Sequence, residues 1–276
     1  NVEVIIDKIK LDDYKVVDDK YIQVHENYNM DSFIESIYDG VVNIADTTFE
    51  SNSAKLSGGV IYNGVDINYG NDTGVGLDST NHGVFNLSGN NTFANNVAGV
   101  KGGAIFNDEG GKFTLDGNNT FTGNTANGVA NDIHNLGTVT IASGMTSIDG
   151  GITGDGILNI EEGATLNMNY ASIEQGTINI DGTLMASLLN DKDSVDVTGA
   201  LSGAGNVLLS AGAAGLYDVS QFTDANLSVD FGKTYQTSIV DGIATLTARQ
   251  AAEIAADTGA SIAAAGAVSG LAASTD

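Results

Sequence analysis

The chain has no cysteine, no proline, only 10 basic residues against 35 acidic ones, and no long run of large apolar side chains. Each shortage excludes something. Without cysteine there is no disulfide staple and no thiol nucleophile. Without proline the turns must be made with Gly, Asn and Asp, and 36 glycines are present to make them. The formal charge of −25 argues against nucleic acid as a partner, because its phosphates would be repelled, and equally against adsorption to anionic lipid. The uncharged stretch from Thr258 to Thr275 is mostly Ala, Gly, Ser and Thr, with only Ile262, Val268 and Leu271 large and apolar, so no direct membrane insertion by this chain is expected. Asn1 to Asp7 has neither the basic start nor the apolar length of a secretory signal, so an exported protein would carry this sequence as a mature or trimmed segment.

What is present is a repeat. Phe-x-x-Asn is followed six residues later by Gly-Gly-x-Ile-aromatic-Asn: Phe49, Asn52, Gly58, Gly59, Ile61, Tyr62 and Asn63, then Phe93, Asn96, Gly102, Gly103, Ile105, Phe106 and Asn107. A worn third copy keeps Phe121, Asn124, Ile133 and Asn135 but replaces the glycine pair with Ala130 and Asn131. The second and third copies lie 28 residues apart, and the segments starting at Gly83 and Gly111 repeat as well. Strings such as Phe85/Leu87 and Phe113/Leu115 alternate with period two and are broken by Gly, Asn or Asp, which is strand and turn chemistry. A unit this small cannot bury its own apolar face and must stack on a like neighbour, at about 4.8 Å per coil, giving a β-solenoid. In that arrangement the Phe and Ile positions stack inside. The Asn positions are expected at corners, as side-chain ladders and in the left-handed conformation that Asn tolerates, and the glycine pair supplies positive φ and close approach. These are expected to be structural residues of the coil.

Phe-x-x-Asn with Gly102-Gly103-Ala104-Ile105, and with Gly58-Gly59-Val60-Ile61 departing at one position, resembles the repeat of the chlamydial polymorphic outer-membrane proteins and related autotransporter passengers of Gram-negative bacteria. The resemblance covers about Thr47 to Asn135. It implies a right-handed parallel β-helix, all-β and pectin-lyase-like, displayed at a bacterial cell surface or secreted after export across the outer membrane.

Three regions are expected. Residues 1–45, rich in acidic residues and Tyr, would form an N-terminal cap, with strands at Val2–Ile9 and Tyr21–His25 and a helix from Met30 to a stop at Gly40. Residues 46–247 would be the β-helix, with repeats over 47–135 and looser coils over 144–247. There, strings such as Gly156–Ile160, Ala164–Met168, Gly176–Ile180, Gly182–Met185 and Ser194–Val197 recur about every 8 to 12 residues. The last three strands, at Asn226–Phe231, Tyr235–Val240 and Ile243–Ala248, are expected to form a hairpin-like cap. Residues 248–276 hold 12 Ala in 29 and would be a short helix or linker, with Arg249–Ala256 as its best helical part. The first two copies lie 44 residues apart, so 16 extra residues fall within Gly64–His82, either a binding loop or a plain surface excursion.

Chemistry finds little support. A β-helix lyase or hydrolase needs clustered carboxylates with a basic partner, and residues 45–200 offer only Lys55, Lys101, Lys112 and Lys192, and no Arg. His25, His82 and His134 are far apart in sequence. Asp132 with His134 has the spacing of a metal pair but, two apart on a strand, more simply shares an exposed face. Gly70–Asp78 has a calcium-loop flavour without the nonapeptide pattern. Gly102-Gly103 lacks the Lys-Ser/Thr ending and the following helix of a phosphate loop. No enzyme, catalytic residue, cofactor or metal is expected. The function expected is a non-enzymatic adhesin or structural spacer whose partner is a ligand on a host or neighbouring cell. The alternative is a self-associating filament or surface-layer component, and a polysaccharide-processing β-helix stands third.

Overall fold

The computed structural model describes residues 3–6, 41–64, 83–188, 195–258 and 264. Short alternating strings become short strands because each places every second side chain inside: Val84–Ser88 buries Phe85 and Leu87, and Lys112–Leu115 buries Phe113 and Leu115. Each strand pairs in parallel with its equivalent one coil away, in register. Val84 lies over Lys112, Lys112 over Thr138, Thr138 over Ile157 and Ile157 over Thr177. The product is a right-handed parallel β-helix, the hand that parallel crossover connections adopt.

Three faces make the rod. The first runs from Glu3–Ile6 through Val41–Ala45 and Val84–Ser88 to the second half of Ile173–Ile180, and then to Val197–Ser202. The second runs from Thr48–Glu50 through Asn90–Ala94 and Asn118–Thr122 to Asn206–Ala211 and Ser228–Asp230. The third stacks Ile61–Asn63, Ile105–Asn107, Ile133–Asn135 and Ile152–Thr153 onto the first half of Ile173–Ile180. One hydrophobic core, from Val42 to Leu246, fills the interior.

The cross-section changes along the axis. The repeat-bearing coils carry an extra corner sheet of two-residue strands, Ser53–Ala54, Val97–Ala98 and Thr125–Ala126. Successive first-face positions are 28 and then 26 residues apart, but only 19 and 20 in the next two coils, where that corner is gone. A hairpin makes the transition. Asn127 and Gly128 both take positive φ (50° and 75°), the pattern of a type I′ turn, and fold Val129–Ala130 back antiparallel onto Thr125–Ala126. The third coil thereby supplies the corner strand that the fourth would otherwise need. Ala130, at the position of the first glycine of the pair, now sits in the hairpin.

The C-terminal end differs from expectation. Ser228–Asp230 still pairs in parallel with Asn206–Leu208 and belongs to the rod. The antiparallel sheet is instead Gly215–Asp218, Ile243–Ala248 and Tyr235–Val240, with Ile243–Ala248 in the middle. A single-turn helix, Ser220–Asp224, buries Phe222. The tail helix spans Ala251–Thr258, starting two residues later than expected. Arg249 reaches Asp257 at 2.6 Å, and the Glu253 carboxylate accepts the Gln250 N–H at 3.0 Å at the helix start. No helix among the described residues is long and apolar enough to cross a membrane. The expected cap elements at Tyr21–His25 and Met30–Gly40, most of Gly64–His82, and His25 and His82 lie outside the described residues.

Candidate functional site

The repeat positions come together in the interior. Phe49 stacks on Phe93 with ring centroids 4.9 Å apart, and Phe93 on Phe121 at 4.6 Å, with planes 3° apart in the second pair. Ile61, Ile105 and Ile133 lie over one another in register. Each aromatic contact adds roughly 0.5–1.5 kcal/mol to plain burial.

The asparagines form two buried ladders. Asn52 Nδ2 donates to Asn96 Oδ1 and Asn96 Nδ2 to Asn124 Oδ1, each at 2.9 Å, while the backbone N–H groups of Asn52 and Asn96 donate to the same oxygens at 3.0 Å. In the second ladder Asn63 donates to Asn107 and Asn107 to Asn135, both at 2.8 Å. None of these six residues is left-handed. That conformation falls instead on the residues just before two of them, Ser51 and Asn95, and elsewhere on Asp46 and Asn169. Asn52, Asn96 and Asn124 still sit at a corner, each between a second-face strand and a two-residue corner strand.

A ladder in which every amide donates forward needs a terminal acceptor, and the chain supplies two. Asn124 Nδ2 donates to Asp132 Oδ1 at 2.8 Å, and Asn135 Nδ2 to Gln175 Oε1 at 2.6 Å. Asp132 Oδ2 also accepts the N–H groups of Asp149 at 3.0 Å and Gly150 at 2.7 Å. Asp132 is fully buried, and burial pushes its carboxyl up to about 6 against the pull of these donors, with nearby Asp149 adding to the rise. The expectation that Asp132 and His134 share an exposed face is therefore corrected. The Asp132 and Ile133 N–H groups both bond the Gly151 carbonyl, as those of Ala104 and Ile105 share Asp132 O and those of Val60 and Ile61 share Ala104 O. Each coil is bulged there, and both consecutive side chains turn inward. The available sequence signal was that Asp132 aligns with apolar Val60 and Ala104.

The glycine pair has divided roles. Gly58 and Gly102 have φ of 69° and 64°; Gly59 and Gly103 give room, since a Cβ on Gly103 would lie 2.5 Å from Asn131 O and Thr125 N.

Outside the third face a second row stacks: Tyr62 on Phe106 at 5.0 Å, and Phe106 on His134 at 5.5 Å. Lys101 Nζ lies 3.2 Å from His134 Nε2, and Nδ1 lies 2.9 Å from Thr153 Oγ1. With the ammonium donating to Nε2, the ring proton resides on Nδ1 and is donated to Thr153 Oγ1, which also accepts from Asn131 Nδ2 at 2.9 Å. Burial, helped by the Lys101 charge, lowers the His134 pKa to about 4, so the imidazole is neutral at pH 7. Both ring nitrogens are occupied and Asp132 is turned to the interior ladder. The row is a largely buried aromatic and hydrogen-bonding stack with the exposed Lys101 ammonium at its edge. Among the described residues no group of three or more His, Cys, Asp or Glu is gathered to hold a metal ion.

Residues 46–64 and 92–108 match the model of the Chlamydia polymorphic membrane protein repeat. These two segments are similar to that repeat. No curated protein and no solved structure matches it. The matched ranges contain the first two copies, from Asp46 to Gly64 and from Thr92 to Asp108, and so the first two rungs of both asparagine ladders and of the Phe stack. The polymorphic membrane protein family is outer-membrane and surface associated, which supports a surface protein of autotransporter type.

Proposed function

We propose that the chain is a non-enzymatic, surface-displayed β-helix passenger that acts as an adhesin or spacer, holding outer faces and loops away from the membrane. The observation that supports this reading is where the repeat chemistry sits. The repeated Phe, Ile and Asn side chains face inward and bond one another, so the motif builds a rod and leaves its outside for recognition. On the described outer surface the exposed Lys101, at the edge of the largely buried Tyr62–Phe106–His134 row, is the place to look for an anionic surface ligand.

The test uses cells expressing the natural protein and the purified chain immobilised on plates. Trypsin added to intact cells should remove the epitope, and cultured epithelial cells should attach to the plates and attach less to Lys101→Ala with the circular dichroism spectrum unchanged. An epitope reached only after lysis sinks the surface reading. Release of reducing ends from acidic glycans sinks the non-enzymatic one.

A further inference from the structure

The chain contains two Asn-Gly pairs, Asn63-Gly64 and Asn127-Gly128, and the fold treats them in opposite ways. The side-chain amide of an asparagine is open to attack by the backbone nitrogen of the next residue, and a glycine there, with no Cβ in the way, makes the approach easiest. Asn63 is fully buried, and its Nδ2 is held by Asn107 Oδ1 at 2.8 Å and by Gly83 O at 3.0 Å. Asn127 and Gly128 are exposed at the tip of the hairpin on the corner sheet. The Asn127 backbone N–H donates to Ala98 O at 2.9 Å, whereas its side chain and the Gly128 N–H have no hydrogen bond among the described residues. A Cβ at Gly128 would meet nothing within 4 Å, so the Asn127-Gly128 peptide has room to turn. The strands that hold the tip, Thr125–Ala126 and Val129–Ala130, are two residues each, and a hairpin this short opens locally at low cost.

We propose that Asn127 is a site of spontaneous deamidation, with water as the co-reactant. The Gly128 nitrogen gives its proton to base and forms a bond to Asn127 Cγ, and the bond from Cγ to Nδ2 breaks as Nδ2 takes up a proton and leaves as ammonia. The five-membered imide is then opened by water, whose OH adds to one of the two carbonyl carbons while its hydrogen returns to nitrogen. Opening at Cγ gives aspartate, and opening at the backbone carbonyl gives isoaspartate. Either product puts a carboxylate on residues 117–131, which otherwise carry none. Isoaspartate also routes the chain through the side-chain carbon, one atom longer than a two-residue type I′ turn accommodates, and so loosens Val129–Ala130 from Thr125–Ala126. The change stays local because both flanks are tied. Asn124 is fixed in its ladder, and Asn131 accepts the Gly103 N–H at its carbonyl and the Gly102 N–H at Oδ1, both at 2.8 Å. The modified corner is thus a time-dependent mark on an intact rod. It does not rest on the adhesin reading.

The test incubates the full chain in mildly alkaline buffer and maps its peptides by tandem mass spectrometry for the gain of about 1 Da that comes from replacing NH2 by OH. Asn127 should convert first, with isoaspartate methyltransferase labelling part of the product, and Asn63 should convert about tenfold or more slowly, because it reacts only when the rod opens. In urea the two should react at similar rates, since the fold alone distinguishes them. Gly128→Ala, whose added Cβ meets nothing, should keep the circular dichroism spectrum and slow conversion of Asn127 about tenfold. Equal rates at Asn63 and Asn127 in the folded chain, an Asn127 that converts only in urea, or a rate unmoved by Gly128→Ala would each overturn the proposal.

Discussion

The carboxyl of Asp132 makes the stability of the rod depend on pH in a direction that can be worked out. Its pKa is held at about 6 in the folded chain against 3.8 for the free group, and burial is the main cause. The folded state therefore holds its proton more tightly than the unfolded one. Stability from this group is fully present below about pH 4 and is lost as pH rises through 6, by about 3 kcal/mol in all. His134 acts in the opposite sense. Its pKa is lowered from 6.5 to about 4, so protonation in acid favours unfolding over much of the same window. The curve of the unaltered chain is thus a sum, and a difference between variants is needed to isolate Asp132. Asp132→Asn keeps the shape and fixes the group in an uncharged form. Urea unfolding of both chains from pH 4 to pH 7 should show the difference moving by roughly 2–2.5 kcal/mol in favour of the variant as pH rises. Carbon-13 carboxyl NMR should place one acid titrating near pH 6. A stability difference that stays constant with pH, or that moves toward the parent, would refute the assignment of burial as the dominant cause.

Other perturbations test the stacks and corners. Phe93 is sandwiched between Phe49 and Phe121, so Phe93→Ala should cost roughly 3–5 kcal/mol in chemical denaturation. Thr146 Oγ1 is buried with no hydrogen-bond partner, and Thr146→Val should raise stability by about 1 kcal/mol, a gain visible as a higher urea midpoint. Gly103→Ala would drive a Cβ to 2.5 Å from backbone atoms of two neighbouring segments and should prevent correct folding of the corner; Gly128→Ala meets nothing within 4 Å and should cost only about 1 kcal/mol for its φ of 75°. Lys101→Met removes a charge that disfavours imidazolium, so the His134 pKa should rise, as read by proton NMR of the ring.

Much of the rod was legible in the sequence because a solenoid repeats its chemistry at a fixed interval. The 28-residue spacing of Phe93 and Phe121, and of Asn96 and Asn124, is the coil itself, and equivalent positions must then lie over one another. The Asn127-Gly128 turn was also readable, as a strong hairpin dipeptide, although the expectation there was a worn repeat with its glycines lost. Inward and outward alternation along Phe85/Leu87 and Phe113/Leu115 followed from the period of two.

What the sequence by itself determined is local and periodic: strands in place of helices, stacked Phe, Ile and Asn, and the absence of thiol chemistry. Only the tertiary structure decided where the period breaks. A bulge turned Asp132 inward beside Ile133 and made it the acceptor at the end of a ladder, and a residue 40 positions beyond Asn135, Gln175, closed the other. It likewise decided that Ser228–Asp230 stays with the rod while Gly215–Asp218 joins the hairpin. The physical reason is the same in each case. Hydrogen-bond acceptors and strand edges must be satisfied in three dimensions, and the residue that satisfies them need not lie at the repeat interval.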